Sequence, residues 1–164
     1  GNCAGCLPHR VWVARRLHMH VENLRSPSVQ CGGIYYFPRM LDKIRLHSQG
    51  KLPPDWVESK GMAYPNTFDA RCCRFLDVDY GALEAETLKG GTDDELLAWA
   101  FALGRRPSEE EIEIWNAFMI KRGWRDSGTT RLNERLAEIG MPPGTVETMF
   151  DFIDLDEGRP LRTE

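Results

Sequence analysis

Apolar residues recur at steps of three and four along most of this chain, between residues that typically cap or end helices. This spacing puts them on one face of a helix and leaves little sequence for strands. The chain has 164 residues, a length that suits one domain. The pattern therefore predicts an all-α fold, a compact single-domain bundle of about six to seven irregularly packed helices with little or no sheet.

Capping residues and helix breakers give the boundaries of the predicted helices. Thr92 with Glu95 and Ser108 with Glu111 have the spacing of capping boxes. The segment 34–37 fits either a short strand or the start of a helix. A basic amphipathic helix is predicted near residues 11–24, and seven further helices are predicted over about residues 38–50, 66–76, 79–89, 96–103, 112–122, 132–139 and 146–156.

Aromatic residues at helical spacing are expected in the core. Phe118 belongs to the stripe of the helix that starts after Ser108, and Trp99, Trp115 and Trp124 also occupy predicted core positions. A ligand cage built from these tryptophans is the alternative that we consider weaker.

A resemblance to a known family is carried by residues 25–27, 36–45, 69–71, 75–76, 91–95, 115–116, 121–125 and 150–154. These stretches resemble DUF5069, an uncharacterised bacterial domain-of-unknown-function family. The resemblance covers about residues 24–159 and implies a cytoplasmic helical protein of unassigned activity, without catalytic residues to transfer. We therefore expect residues 24–164 to form a single helical domain after an N-terminal extension, residues 1–23. Because Met19 stands just before the match, residues 1–18 are interpreted as an overextended start or a foreign segment.

Charge is distributed unevenly along the chain. Residues 1–47 hold seven Lys/Arg and two Asp/Glu, a net of +5, whereas the remainder holds fourteen and twenty-three, a net of −9. The total of −4 disfavours nucleic-acid binding. No apolar run approaches the roughly 20 residues that cross a bilayer, so no membrane partner is expected. The two parts either pack together and neutralise each other, which we favour, or the basic part contacts an anion.

The best candidate for a binding site is the helix face around Arg39. Arg39, Lys43 and His47 recur at steps of four and therefore share a face. Asp42 lies three residues from both Arg39 and Arg45. Guanidinium, ammonium and imidazole groups together can bind a carboxylate or phosphate. The commoner alternative is an exposed face on which Asp42 pairs with both arginines.

A second candidate is the thiol of Cys73, which lies between Arg71 and Arg74. Neighbouring cations can lower the pKa of a thiol and make it nucleophilic. Helical phase places Cys72 on the apolar face, so Cys73 is the candidate for a reactive residue, although two structural thiols are the commoner arrangement. The odd total of five cysteines argues against a disulfide framework and for cytosolic thiols.

Two further groups suggest metal sites only weakly. Cys3 and Cys6, together with His18 and His20, offer two thiols and two imidazoles, but the histidine spacing does not fit a zinc site. The carboxylate stripe on the last predicted helix is expected to be exposed or to face the basic Arg39 helix. Its members are Glu147, Asp151, Asp154 and Glu157. No metal and no cofactor are predicted.

Three functional hypotheses remain open. The first is a non-enzymatic binding module whose cationic face receives an anionic small molecule or an acidic protein surface. The second is an enzyme without a short motif, in which Asp42, Asp69 or His47 does acid–base chemistry or Cys73 is the nucleophile. The third is a structural subunit, in which Phe152 and Leu155, off the main stripe of the last helix, form a homodimer contact.

Overall fold

A computed structural model describes residues 14–162, which contain eight helices and one two-stranded sheet. The predicted mostly helical fold is confirmed. No helix in these residues is long and apolar enough to cross a membrane. In chain order the elements are β1 (Gln30–Cys31), β2 (Ile34–Tyr35), α1 (Phe37–Ser48), α2 (Pro54–Val57), α3 (Phe68–Leu76), α4 (Tyr80–Leu88), α5 (Asp93–Leu103), α6 (Glu109–Lys121), α7 (Thr129–Glu138) and α8 (Met149–Asp156).

The small sheet is an antiparallel hairpin in which Gln30 pairs with Tyr35. Gly32 and Gly33 form its turn with φ of +56° and +78°, the left-handed values that a two-residue hairpin turn needs. The segment 34–37 therefore fulfils both interpretations, since β2 ends at Tyr35 and α1 begins at Phe37.

Helix α1 is the centre of the fold and is buried on nearly every side. Nine of its twelve residues are buried, among them Arg39, Asp42 and Lys43. The alternative of an exposed, ion-paired face is therefore wrong for Arg39, Asp42 and Lys43, because neighbouring elements cover this part of the helix. A helix buried in this way is normally apolar, so its three buried charges need partners.

The main hydrophobic core surrounds the apolar side chains of α1. Two smaller clusters of buried apolar residues lie beside it. Leu132, Leu136 and Phe152 belong to the cluster between α7 and α8, and Leu46 and Trp56 belong to the one that fixes α2. Phe152 is only 1% exposed and Leu155 packs against the same cluster, so their placement does not support the suggested homodimer contact.

Residues 14–24 form no helix, contrary to the prediction. The segment instead runs across α7 and α8, where the Arg15 amide donates to the Glu138 carbonyl at 2.8 Å and the Met19 amide donates to the Asp156 carbonyl at 2.7 Å. These long-range bonds occupy backbone groups that a helix would use internally. The part of the extension that the structure describes thus packs against the helical domain.

The predicted burial of two aromatic residues in the C-terminal half was also wrong. Trp124 is 45% exposed and Phe118 is 38% exposed, whereas Trp115 lies in the core and Trp99 packs against it. Trp124 follows the end of α6 and stacks with Arg125 at the surface. Phe118 lies near the guanidinium groups of Arg71 and Arg122.

Candidate anion-binding cleft

A cleft of about 420 Å³ opens where the N-terminal segment, α1, α2, α3, α7 and α8 meet. Its volume is in the range of small-molecule sites. The buried side of the cleft, here called the floor, is formed by Tyr36, Arg39, Lys43, Trp56 and Glu157. Its more exposed cationic border, here called the arginine rim, is formed by Arg71, Arg122, Arg131 and Arg135.

Arg39 and Glu157 form a bidentate ion pair in the floor. The guanidinium nitrogens lie 2.8 and 2.6 Å from the two carboxylate oxygens, and the Trp56 indole donates to the same carboxylate at 3.0 Å. Burial raises the pKa of Glu157, but the hydrogen bonds and charge of Arg39 outweigh it and hold that pKa below its usual value. The pair joins α1 to the end of α8.

Lys43 and Asp69 form a second buried pair in the same region. The Lys43 ammonium lies 2.9 Å from the Asp69 carboxylate, which also accepts from the Tyr36 hydroxyl at 2.5 Å and the Gly61 amide at 2.6 Å. Burial lowers the pKa of Lys43, the charge of Asp69 opposes that shift, and the charge of Arg39 adds to it. Tyr36 has a φ of 79°, an unusual value for a side chain of this size.

His18 lies between two aspartates at the edge of the cleft. Its Nδ1 is 2.6 Å from Asp156, its Nε2 contacts Asp55, and its ring packs 4.6 Å from that of Trp56. Arg15 binds Asp156 as well, at 2.9 Å. The carboxylates at this edge are therefore already occupied by cations or by imidazole.

The predicted zinc ligands are only partly described. Cys3 and Cys6 lie outside the described residues, His20 is exposed, and His18 is engaged by Asp55 and Asp156. Within residues 14–162, no three His, Cys, Asp or Glu side chains are grouped to hold a metal ion.

Arg71 and Arg122 form the most unusual part of the arginine rim. Their guanidinium carbons lie 5.3 and 5.6 Å from the centre of the partly exposed Phe118 ring. Burial lowers the pKa of Arg71, and the positive charges of Arg122 and Arg74 lower it further. The charge of Asp126, which lies 3.4 Å from Arg122, opposes these shifts, but Arg71 has no carboxylate in ion-pair contact among residues 14–162.

The other rim arginines project from α7. Arg131 lies 3.1 Å from Glu134 and Arg135 lies 3.2 Å from Glu138, pairs that are about a third exposed or more and therefore weak. Ser127 and Gly128, which precede α7, also line the cleft. Arg122 donates to the Ser127 hydroxyl at 3.0 Å and lies 3.4 Å from Asp126.

The lining of the cleft has an excess of positive charge. It contains six arginine and lysine side chains against the three carboxylates of Asp55, Asp156 and Glu157. Since those carboxylates are bound by His18, Arg15 and Arg39, the charge left for a ligand comes from the rim. Phe68, Phe152 and Ile153 supply an apolar wall.

The structure brings together only part of the predicted Arg39 face. Arg39 and Lys43 line the cleft, whereas Asp42, Arg45 and His47 do not. Asp42 is bound by Arg25 through two hydrogen bonds of 2.9 Å, and lies 3.6 Å from Arg45.

Arg45 and His47 lie near the end of α1. Arg45 pairs with Asp93 at 2.9 Å, and His47 is exposed. The acid–base hypothesis required Asp42, Asp69 and His47 to converge on one cleft, and this arrangement does not support it.

The two adjacent cysteines are both buried in the main core. Cys73 lies 3.9 Å from the Met40 sulfur, and burial raises the pKa of its thiol to about 12. Burial likewise raises the pKa of Cys72. A thiol of this kind is protonated at neutral pH and is a poor nucleophile, so the placement does not support a reactive Cys73.

Sequence reasoning missed most of the arginine rim. The sequence analysis considered Arg71 only as a neighbour of the cysteines, and Arg122 is simply the last residue of the helix predicted over 112–122. Arg131 and Arg135 gave no signal except their spacing of four on one helix face. Their convergence depends on how α3, α6 and α7 pack, which no local pattern encodes.

Comparison with known proteins adds the family but no activity. The model of the family described as domain of unknown function (DUF5069) matches residues 21–159. The chain belongs to this family. The match confirms the resemblance found in the sequence and begins at Val21, within the segment that runs across the helical domain. No curated protein matches the DUF5069 chain significantly.

Proposed function

We propose that this DUF5069 protein is a binding module for a small anionic molecule that carries a phosphate or carboxylate group, held in the cleft by the arginine rim. The observation that carries the proposal is the placement of Arg71 and Arg122 against Phe118, since Arg71 has no carboxylate in ion-pair contact among residues 14–162. Keeping the Arg71 guanidinium near a second cation and without an ion-pair partner costs free energy that a bound anion would recover.

The shape of the site favours a small molecule over an acidic protein surface. A cleft of about 420 Å³ with an apolar wall encloses a ligand on several sides, whereas a protein partner would usually contact a broader and flatter area. The floor supports this proposal because Arg39, Lys43 and Trp56 are fixed by hydrogen bonds before any ligand arrives, which reduces the entropy lost on binding.

The proposal includes a bacterial cytoplasmic setting. Cys31, Cys72 and Cys73 are free thiols, and reduced cysteines are typical of proteins in that compartment. Small phosphorylated and carboxylated metabolites are the expected class of ligand.

Thermal unfolding in the presence of single anions tests the proposal. Phosphate, pyrophosphate, oxalate and citrate are compared at constant ionic strength, because general salt effects would otherwise contribute. An anion at about a hundred times its Kd stabilises the folded state by roughly 2.7 kcal/mol, which raises the Tm of a chain of this size by several degrees.

Three arginine variants decide whether the effect belongs to the rim. Arg71→Gln and Arg122→Gln each remove one charged donor and are expected to weaken binding about tenfold or more. Arg74→Gln is the matched control, since Arg74 is exposed on the same helix as Arg71 and does not line the cleft. The proposal fails if no anion shifts the Tm, or if Arg74→Gln has the same effect as Arg71→Gln.

A further inference from the structure

The Lys43 amine lies in an environment unlike that of the other four lysines of the chain. Its side chain is only 3% exposed, and it is the one lysine among residues 14–162 that lines the cleft. Lys51, Lys89 and Lys121 are exposed, and Lys60 is half-buried against Glu84. A buried lysine is costly to keep unless its amine has a role or a well-placed partner.

We propose that Lys43 forms an imine with the carbonyl group of an anionic ligand, such as a small oxo acid or a phosphorylated aldehyde, while the arginine rim holds the anionic group. The inference rests on the proposed function, because the rim supplies the binding energy that places the carbonyl in the cleft. It deepens that function by naming the ligand class and the reacting atom.

The surroundings of Lys43 match two known ways of activating a lysine. Desolvation favours the neutral amine, and a neighbouring cation favours it further. Both conditions hold here, since Lys43 is buried and Arg39 stands one turn earlier on α1. Asp69, 2.9 Å from the amine, is placed to accept its proton.

The chemistry balances with Asp69 as a proton carrier. The Lys43 ammonium passes a proton to Asp69, and the neutral amine forms a C–N bond to the carbonyl carbon while the carbonyl oxygen takes that proton from Asp69. Asp69 then takes a second proton from nitrogen and returns it to the hydroxyl group, which leaves as water. The product is a protonated imine beside the Asp69 carboxylate, and no oxidant or reductant is consumed.

The floor is built to keep Asp69 fixed during these transfers. The Tyr36 hydroxyl and the Gly61 amide both donate to its oxygens, so the carboxylate keeps its position when Lys43 changes its charge. Tyr36 reaches Asp69 from a backbone φ of 79°. Backbone strain of this kind costs of order 1–3 kcal/mol and tends to occur at functional sites.

Reductive trapping with pyridoxal 5′-phosphate tests the inference. This probe carries one aldehyde and one phosphate, and cyanoborohydride reduces its imines to stable amines that peptide mass spectrometry locates. At limiting probe, Lys43 is expected to carry about tenfold more adduct than exposed Lys89, because its amine is activated and the rim concentrates the probe beside it. Ordinary accessibility would give the opposite order.

Two comparisons separate this inference from the proposed function. If pyridoxal 5′-phosphate raises the Tm but Lys43 carries no more adduct than Lys89, the imine is excluded and the anion site stands. If pyridoxal, which lacks the phosphate, labels Lys43 as well as the phosphorylated probe does, the imine stands and the anion site fails.

A variant provides the last control. Lys43→Arg keeps a positive charge beside Asp69 but cannot form an imine, and the wild-type mapping does not depend on whether it folds. The variant is expected to lose the cleft adduct and to keep adducts at Lys89. An unchanged total of adducts in folded Lys43→Arg would contradict the inference.

Discussion

Charged side chains at the centre of this fold are paired with partners from distant parts of the chain. Arg39 binds Glu157 and Lys43 binds Asp69, and all four side chains are at most 4% exposed. Buried pairs contribute little net stability compared with apolar residues, but loss of one partner leaves a charge in a medium of low polarity. Such pairs therefore hold functional groups in place more than they strengthen the fold.

Replacing Glu157 by glutamine tests the importance of the Arg39 pair. Glu157→Gln leaves the Arg39 guanidinium buried without a carboxylate, so we expect the free energy of unfolding to fall by about 3–5 kcal/mol. Urea denaturation measures the change. Glu86→Gln removes an ion pair with exposed Lys89 and should change stability by no more than about 0.5 kcal/mol.

The pH dependence of stability provides the control for the Glu157→Gln experiment. The pKa of Glu157 is lower in the folded state than its usual value, so this carboxylate stabilises the fold above its unfolded pKa of about 4.3. That contribution is lost as the pH falls through the folded pKa. The stability difference between wild type and Glu157→Gln should therefore shrink below about pH 4. A difference that stays constant to pH 3 would contradict this explanation.

Capping residues in the sequence predicted the starts of helices better than they predicted the contacts of single side chains. Ser108 and Glu111 form the expected capping box of α6, and Asp79 caps α4 through the Ala82 amide. The helix prediction was wrong for residues 14–24, because the backbone of this segment forms hydrogen bonds to α7 and α8 instead of within itself. Apolar periodicity cannot distinguish these two outcomes, since both bury the same side chains.

The end of α5 positions α3, which carries Asp69 and Arg71. Gly104 lies so close to the end of α3 that a Cβ atom would be 2.1 Å from the Leu76 carbonyl oxygen. The next residue then donates its amide to the same oxygen at 3.0 Å. The absence of a side chain at Gly104 thus lets the two helices dock.

Gly104→Ala tests this docking. The new methyl group meets backbone atoms that cannot move aside easily, so we expect a loss of about 3 kcal/mol in the free energy of unfolding. Gly50→Ala is the control, because Gly50 also ends a helix but has open space around it, and its left-handed φ of +69° should cost only about 1 kcal/mol. Equal losses in thermal or urea unfolding would show that the close contact at Gly104 is unimportant.

In the whole molecule, the basic N-terminal part and the acidic remainder of the sequence are joined by ion pairs. Arg15, Arg25, Arg39, Lys43 and Arg45 of the basic part each pair with a carboxylate from the acidic part. This agrees with the interpretation that the two parts neutralise each other. The excess of positive charge lies instead on the rim, on arginines of the acidic part.

The family and the helical class were therefore predictable from the sequence, whereas the site was predictable only in part. Arg39 and Lys43 were recognised because they lie on one helix at a spacing of four. Arg71, Arg122 and Arg131 converge from three separate segments, so their proximity follows from tertiary packing and not from any local spacing.

A titration followed by ¹⁵N–¹H correlation spectra tests whether the cleft binds anions. With inorganic pyrophosphate, the Trp56 indole and the Gly128 amide, which belong to residues that line the cleft, should shift in a saturable way. The indole of Trp124, exposed and outside the cleft, should not move. Unchanged signals from Trp56 and Gly128, or shifts of equal size at Trp124, would contradict the account.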